Sequence, residues 1–133
     1  MRHHVLSEEN LDIMGVLWGA GPNGRTVNDV WAALDTSRRR KVRRTTVQVQ
    51  MRRLESYGWL SRRKAGREFI YTAQWGRDET VADLLRSLRR RLFGGSFAEV
   101  VRVLLADGAV PGKERRRIRA LVRGGSGSGP SVR

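Results

Sequence analysis

Apolar residues recur every three or four positions in three successive segments of the first half of the chain, and this spacing predicts three amphipathic helices. The first helix is expected to begin after Ser7 and to end near Gly19. The second is expected to begin after Thr26, with Asp29 at the position that completes a capping box. The residues expected to be buried in these two helices are Leu11, Met14, Leu17, Trp18, Val27, Val30, Trp31 and Leu34.

The third predicted helix, residues 44–57, has two faces of different chemistry. At about 100° per residue, the face expected to pack against the other helices holds Val47, Met51, Leu54 and Gly58. An arc of about 140° on the roughly opposite side holds Arg44, Thr45, Gln48, Val49 and Arg52. One face is therefore apolar and the other is polar and basic.

Two short strand-like runs follow the third helix. They are WLSRRK, residues 59–64, and EFIYTA, residues 68–73, joined by an AGR turn. Three helices and a hairpin, in this order, are typical of a winged helix-turn-helix domain, which we place at residues 1–75. The predicted fold class is mainly α with a small β-hairpin wing, followed by a helical dimerisation domain.

Three more helical patterns occupy residues 80–93, 94–107 and 110–124. Helices this short cannot enclose a core alone, so we expect residues 76–123 to pack against a second copy and form a homodimer. The residues expected at the dimer interface are Leu84, Leu85, Leu88, Leu92, Phe97, Val101, Leu104 and Leu105. The Gly- and Ser-rich stretch 124–133 is expected to be a flexible tail.

Charge then points to the kind of partner. The chain has 27 Lys and Arg against 13 Asp and Glu, a formal net charge of +14. Residues 38–67 contain twelve Lys and Arg and one acid, Glu55, so this stretch has a net charge of +11. A basic patch of this density indicates a polyanionic partner, and nucleic acid is favoured over an anionic membrane surface.

The polar face of the third helix and the basic hairpin together form the predicted DNA contact surface. Arg and Gln side chains make bidentate contacts to guanine and adenine edges in the major groove, and Thr bonds a phosphate or touches a thymine methyl. Basic side chains on the wing would bind phosphates and set the register. The predicted DNA-binding residues are Arg43, Arg44, Thr45, Thr46, Gln48, Val49, Arg52, Arg62, Arg63, Lys64 and Arg67. The structural alternative is a basic helix face that is simply solvated.

Other classes of function find little support in the residues. The chain has no cysteine, and its two histidines, His3 and His4, stand next to each other near the N-terminus, so we predict no disulfide, no metal site and no cofactor. Ser, Asp and Glu have no partner histidine at a suitable position, so no catalytic site is predicted. The four tryptophans are interpreted as packing residues rather than base-stacking ones. The chain has neither a signal peptide nor a membrane span, which favours a cytoplasmic protein.

Two rival functions remain open on these grounds. A basic RNA-binding or ribosome-associated structural protein would suit a pI near 11.7 equally well, although the aromatic surface of an RRM or cold-shock domain is missing. A winged helix used for protein interaction would need an apolar or acidic outer face on the third helix. The apparent recognition helix favours DNA over RNA, and the basic outer face of that helix argues against protein interaction.

Three segments also resemble one known family. LSEENLDIMGVLW, residues 6–18, resembles its opening leucine, small cap and closing leucine-tryptophan pair. RRTTVQVQMRRLESYGWLSRRKAGREFIY, residues 43–71, resembles its threonine pair and valine, arginine-leucine pair, glycine turn and Gly-Arg wing that ends in an aromatic-x-tyrosine. FGGS, residues 93–96, resembles the junction between its dimerisation helices. Over residues 5–122 the chain is thus similar to the penicillinase and methicillin-resistance repressors and the related copper-responsive repressors.

This resemblance implies a homodimeric repressor whose N-terminal winged helix binds a dyad operator. Members of the family are inactivated when a sensor metalloprotease pathway cuts the dimerisation domain at an Asn-Phe bond, or when copper binds C-terminal cysteines. The copper route does not apply to a chain without cysteine, and Val103 and Leu104 occupy the position of the cut bond. The position of the cut bond is thus retained but its Asn-Phe chemistry is not, and a regulatory protease is a partner that only the resemblance implies. Arg43 and Arg44 stand where relatives have a serine cap and an aromatic, and residues 38–41 are unusually basic, so a different operator sequence is expected.

Overall fold

A computed structural model describes residues 6–37, 41–106, 108 and 110–124. The chain divides into two compact units, unit 1 with residues 1–77 and unit 2 with residues 78–133. The predictions for His3, His4, residues 38–40 and the tail from residue 125 onward lie outside the described residues. The helices and strands are α1 Glu8–Ala20, α2 Val27–Ser37, α3 Arg44–Ser56, β1 Leu60–Ala65, β2 Glu68–Ala73, α4 Arg77–Leu92, α5 Phe97–Ala106 and α6 Gly112–Gly124. This order of elements confirms the predicted winged helix followed by helices.

The first two helices begin at the predicted caps. The Ser7 hydroxyl accepts from the backbone N–H of Asn10 at 3.1 Å, and the Asn10 side chain accepts from the backbone N–H of Ser7. The same reciprocal pair joins Thr26 and Asp29, with distances of 3.1 and 3.2 Å. Each pair satisfies two of the N–H groups that a helix start leaves without a partner, so both helix starts are set locally.

The core of unit 1 lies where the three helices meet the hairpin. Its buried apolar side chains are Leu6, Ile13, Met14, Leu17, Val30, Leu34, Val47, Met51, Leu54, Trp59, Leu60 and Tyr71. Of the predicted stripe residues, Leu11, Trp18, Val27 and Trp31 are only partly buried at the margin of this core. Ile13 was not predicted and is 1% exposed. The apolar stripe of α1 is therefore centred on Ile13, Met14 and Leu17.

One prediction for the third helix was wrong. Gly58 was placed on its packed face, but α3 ends at Ser56 and Gly58 is an exposed turn residue with φ +89°. A positive φ is the conformation in which glycine replaces a side-chain-bearing residue at a helix end. The turn lets the backbone N–H of Trp59 donate to the Leu54 carbonyl at 2.9 Å. It leads directly into β1.

The hairpin is tied to the start of α2 as well as to α3. Strands β1 and β2 pair antiparallel, with Arg62 opposite Tyr71 and Lys64 opposite Phe69. Arg25 forms a bridge to Tyr71, with N–H to carbonyl distances of 3.0 and 2.8 Å. Preceding it, Gly24 has φ +74°, and a Cβ there would lie 2.5 Å from the Tyr71 carbonyl oxygen. Only glycine fits this close approach of two backbones.

Three tryptophan indoles join segments that are distant in sequence. Trp18 donates to the Trp75 carbonyl at 2.9 Å, Trp31 to the Val42 carbonyl at 2.8 Å, and Trp75 to the Gly58 carbonyl at 3.2 Å. Trp59 is 3% exposed within the core. All four tryptophans therefore pack, as predicted.

Unit 2 consists of α4, α5 and α6. Within the described residues, neither α5 nor α6 contains a buried residue. The Arg89 guanidinium lies 3.9 Å from the centroid of the Phe97 ring and covers one side of it. The apolar side chains of this unit are thus largely exposed to solvent in a single chain.

Candidate nucleic-acid interface

The outward side of α3 is formed by the polar residues that the helical spacing predicts. Arg44, Thr45 and Gln48 are exposed, Val49 is 55% exposed, and the Arg52 side chain is 54% exposed. The opposite side of the same helix is anchored in the core by Val47, Met51 and Leu54. Because that anchor fixes the rotation of the helix, the polar side chains project together from one surface.

The start of α3 adds two more predicted residues. Arg43 is the N-cap in an extended conformation, and within the described residues no side chain caps this helix start. Thr46 is exposed in the first turn. A helix N-terminus favours a phosphate electrostatically, so this helix start is suited to lie beside a phosphate.

Arg44 is held in place by the neighbouring helix. Its Nε donates to the Oδ1 of Asn28, which stands in the first turn of α2. This contact directs the guanidinium along the surface between α2 and α3. Asn28 was not among the predicted site residues, because nothing in the sequence shows that the first turn of α2 lies beside the start of α3.

A groove of about 160 Å³ separates α3 from the wing. Its lining combines predicted DNA-binding residues from both elements with the first turn of α2, and consists of Thr26, Val27, Asn28, Arg44, Gln48, Arg52, Arg62, Arg67, Glu68, Phe69 and Tyr71. Four arginines from two elements thus converge on one concave surface. Glu68 is the one acid among these lining residues, so the lining has a net positive charge and favours a bound polyanion.

Arg62 differs from the other wing residues in its surroundings. Its Nε lies 3.1 Å from Oε2 of Glu55 on α3, and its guanidinium lies 4.1 Å from the centroid of the Phe69 ring. The side chain is only 25% exposed. Arg62 therefore ties the wing to the recognition helix, and part of its charge is already balanced within the protein.

Arg63 and Lys64 are more open to solvent than Arg62. Alternation along β1 places Arg63 on the opposite face of the hairpin, where its Nη2 lies 3.5 Å from the Asn23 carbonyl. Lys64 is exposed and its Nζ lies 5.7 Å from the Phe69 centroid. Arg67 is exposed in the turn between the strands. The three side chains that point to solvent are the ones suited to bind phosphates.

Glu55 gains a role that the sequence does not reveal directly. It is the one acid among residues 38–67, and it also lies 3.9 Å from Arg52. Its position as a single acid within a basic stretch is the signal that could have identified it as a residue of the site. It lies between Arg52, a base-reading candidate, and Arg62 on the wing, and the contact of 3.1 Å with Arg62 is the closer of the two.

The apolar residues predicted at a dimer interface lie in unit 2. Leu85, Leu88, Leu92, Phe97, Val101 and Leu104 are between 39% and 71% exposed, whereas Leu84 and Leu105 are partly buried. Among the described residues of this unit, three further large apolar side chains are exposed, and these are Val103 on α5 and Leu121 and Val122 on α6.

Other kinds of site are not evident in the described part of the chain. In that part, no three His, Asp or Glu side chains are grouped so that they could hold a metal ion. No described helix is long and apolar enough to cross a membrane.

A winged helix whose third helix presents a basic polar face, next to a basic wing, defines the class of winged-helix DNA-binding proteins. The family model described as penicillinase repressor matches residues 6–124. The chain therefore belongs to the penicillinase repressor family and is a DNA-binding transcriptional repressor, as the resemblance implied.

Part of the chain is also similar to a protein of known structure. A solved structure described as the solution structure of the DNA binding domain of the repressor BlaI is 28% identical to this chain. The match covers 54% of this chain and 83% of that one, with a TM-score of 0.47. Among curated proteins, no significant match is found.

Proposed function

We propose that the protein is a homodimeric repressor that binds a dyad operator, with α3 of each copy in the major groove. The observation that carries this proposal is the exposed row of Arg44, Gln48 and Arg52 on a helix whose other side is fixed in the core. An α-helix of about 10–12 Å diameter fits the major groove, which is about 12 Å wide. The row is basic and polar, which argues against the protein-interaction alternative.

Within this proposal, Gln48 and Arg52 read bases and the wing sets the register. Both side chains lie on the part of α3 that lines the groove facing the wing. Arg63, Lys64 and Arg67 bind phosphates, while Arg62 holds the wing at its angle to α3. At the start of α3, the side chains of Arg43, Thr45 and Thr46 contact the DNA backbone. Val49 contacts a base methyl group.

Dimerisation is supported by the apolar surface of unit 2. Leu92, Phe97 and Leu104 are 70%, 71% and 66% exposed in a single chain. Exposed large apolar side chains in such number favour burial against a partner, and each Å² removed from water contributes about 25 cal/mol. A second identical chain is the simplest partner, since a twofold axis lets one surface cover itself.

Relief of repression through a protease, which the resemblance implies, would act on α5. The Val103–Leu104 bond lies within this helix, and a helical bond becomes a protease substrate only after local unfolding. Cutting there would separate the apolar residues of α4 from those of α6. The two half-site contacts of the dimer would then become independent, and operator affinity would fall by about 100-fold or more.

The experiment that tests the proposal is genome-wide mapping of the DNA bound by this repressor, followed by titration of two duplexes. One duplex carries the complete mapped site and the control carries a single half-site. We expect a dyad sequence, a dimer by sedimentation, and binding to the complete site at least about 100-fold tighter than to the half-site. Mapped sites without a dyad, combined with equal affinity for both duplexes, would refute it.

A further inference from the structure

Helix α6 carries a second concentration of positive charge, in the unit that does not contain the recognition helix. Unit 2 has twelve Lys and Arg against six Asp and Glu, a net charge of +6 out of the total of +14. Half of these cations stand on α6, which has one acid, Glu114. They are Lys113, Arg115, Arg116, Arg117, Arg119 and Arg123, and all six are exposed.

The cations and the apolar residues of α6 lie on different sides of the helix. At about 100° per residue, Ile118, Leu121 and Val122 share an arc of about 100°. An arc of similar width on the roughly opposite side holds Lys113, Arg116 and Arg117. We call these three residues the basic face of α6.

The remaining three arginines lie between the apolar arc and the basic face. Arg115, Arg119 and Arg123 follow one another at four-residue intervals and line a cavity of about 410 Å³, together with Leu105, Ile118 and Val122. Under the proposed function, the apolar side of α6 would belong to the surface that the dimer buries. The residues of the basic face do not line this cavity.

Two arginines of unit 2 that lie outside α6 form ion pairs. Arg102 bonds Glu99 at 3.0 Å, and Arg86 pairs with Asp83. Among the described residues, no Lys or Arg of α6 forms an ion pair. Unpaired like charges on one surface repel each other, and a polyanion relieves that repulsion.

We propose that the basic face of α6 binds phosphates of duplex DNA, in addition to the contacts made by α3 and the wing. Lys113, Arg116 and Arg117 lie within about 6 Å along the helix axis, so their long side chains can reach two or three neighbouring phosphates. Arginine forms bidentate hydrogen bonds to phosphate oxygens. A membrane surface is disfavoured because α6 has no aromatic residue to insert among lipids.

The test measures how binding of the full chain to a random-sequence 40-base-pair duplex depends on salt. The slope of log affinity against log salt concentration becomes shallower by about 0.9 for each phosphate that a variant no longer neutralises. In the variant K113Q/R116Q/R117Q we expect the slope to decrease by about two to three units relative to the wild type. The single variant R117Q should decrease the slope by about one unit. It replaces the triple variant in the test if the triple variant does not fold.

The matched control is R102Q, which removes one exposed arginine of the same unit whose charge is balanced by Glu99. Its slope should equal that of the wild type. A slope unchanged in both α6 variants would overturn the proposal. So would loss of binding to phosphatidylserine vesicles with the DNA slope unchanged, which would assign the face to lipid. Because the duplex has no operator, these outcomes are independent of whether the repressor reads a dyad.

Discussion

Unit 1 and unit 2 differ in how far their large apolar side chains are exposed to solvent. Unit 1 buries Ile13, Met14, Leu17 and Met51 to 1% exposure or less and presents polar side chains outward. Unit 2 leaves Leu92, Phe97 and Leu104 more than 60% exposed, and α5 and α6 bury no residue. The first unit encloses its own core, whereas the second leaves large apolar side chains exposed to solvent.

This difference indicates what each unit is suited to bind. A surface of arginine, glutamine and threonine is already solvated and gains little from another protein, but it fits a polyanion. A surface of leucine and phenylalanine gains by removal from water. We therefore expect the stability of unit 1 to be independent of protein concentration and that of unit 2 to rise with it, since a dimer is stabilised by mass action.

The largest expected effect comes from truncating one apolar side chain in each unit. Met51→Ala should lower the free energy of unfolding of unit 1 by about 2–5 kcal/mol at every protein concentration, because it leaves a cavity in a closed core. Leu104→Ala should lower the melting temperature only at concentrations at which chains pair. Thermal unfolding measured across a wide range of protein concentrations separates the two. A concentration-independent loss in Leu104→Ala would mean that unit 2 has its own core.

A smaller effect is expected from the polar face of α3. Gln48→Ala and Arg52→Ala should each weaken binding to the mapped operator by about 1–3 kcal/mol and relax the preference at one or two base positions. Since both side chains are exposed, melting temperature and sedimentation should stay those of the wild type. The measurement is titration onto the operator and onto single-base variants of it. Equal weakening on all sequences would place these residues on phosphates.

The smallest effect distinguishes two neighbouring wing arginines. Arg63→Ala should reduce the salt slope of DNA binding by about one unit, because its charge faces solvent. Arg62→Ala should reduce the slope less and instead lower specificity, because it frees Glu55 and loosens the wing from α3. Salt titrations of both variants on one duplex make the comparison. An equal decrease of slope in both would show that Arg62 leaves Glu55 and binds a phosphate itself.

Local rules in the sequence were enough for most elements of the fold. The capping pairs at Ser7 and Thr26 depend only on residues three positions away, so the helix starts could be predicted. The spacing of Val47, Met51 and Leu54 likewise determined which side of α3 faces the core, and hence which side faces outward. The hairpin followed from two short strand patterns around a glycine turn. Gly58 was misplaced because the helical periodicity was extended one residue beyond the predicted end of the helix, into the turn.

The arrangement of the site depended on contacts between segments that are far apart in the chain. Gly24 and Arg25 meet Tyr71 across more than forty residues, and Arg44 meets Asn28 on another helix. The sequence by itself determined that Arg62 and Arg63 are two adjacent basic residues on a strand. Only the tertiary structure decided that one is paired with Glu55 and the other is not. The physical reason is that alternation along a strand separates neighbours onto opposite faces, and packing against α3 selects which face is covered.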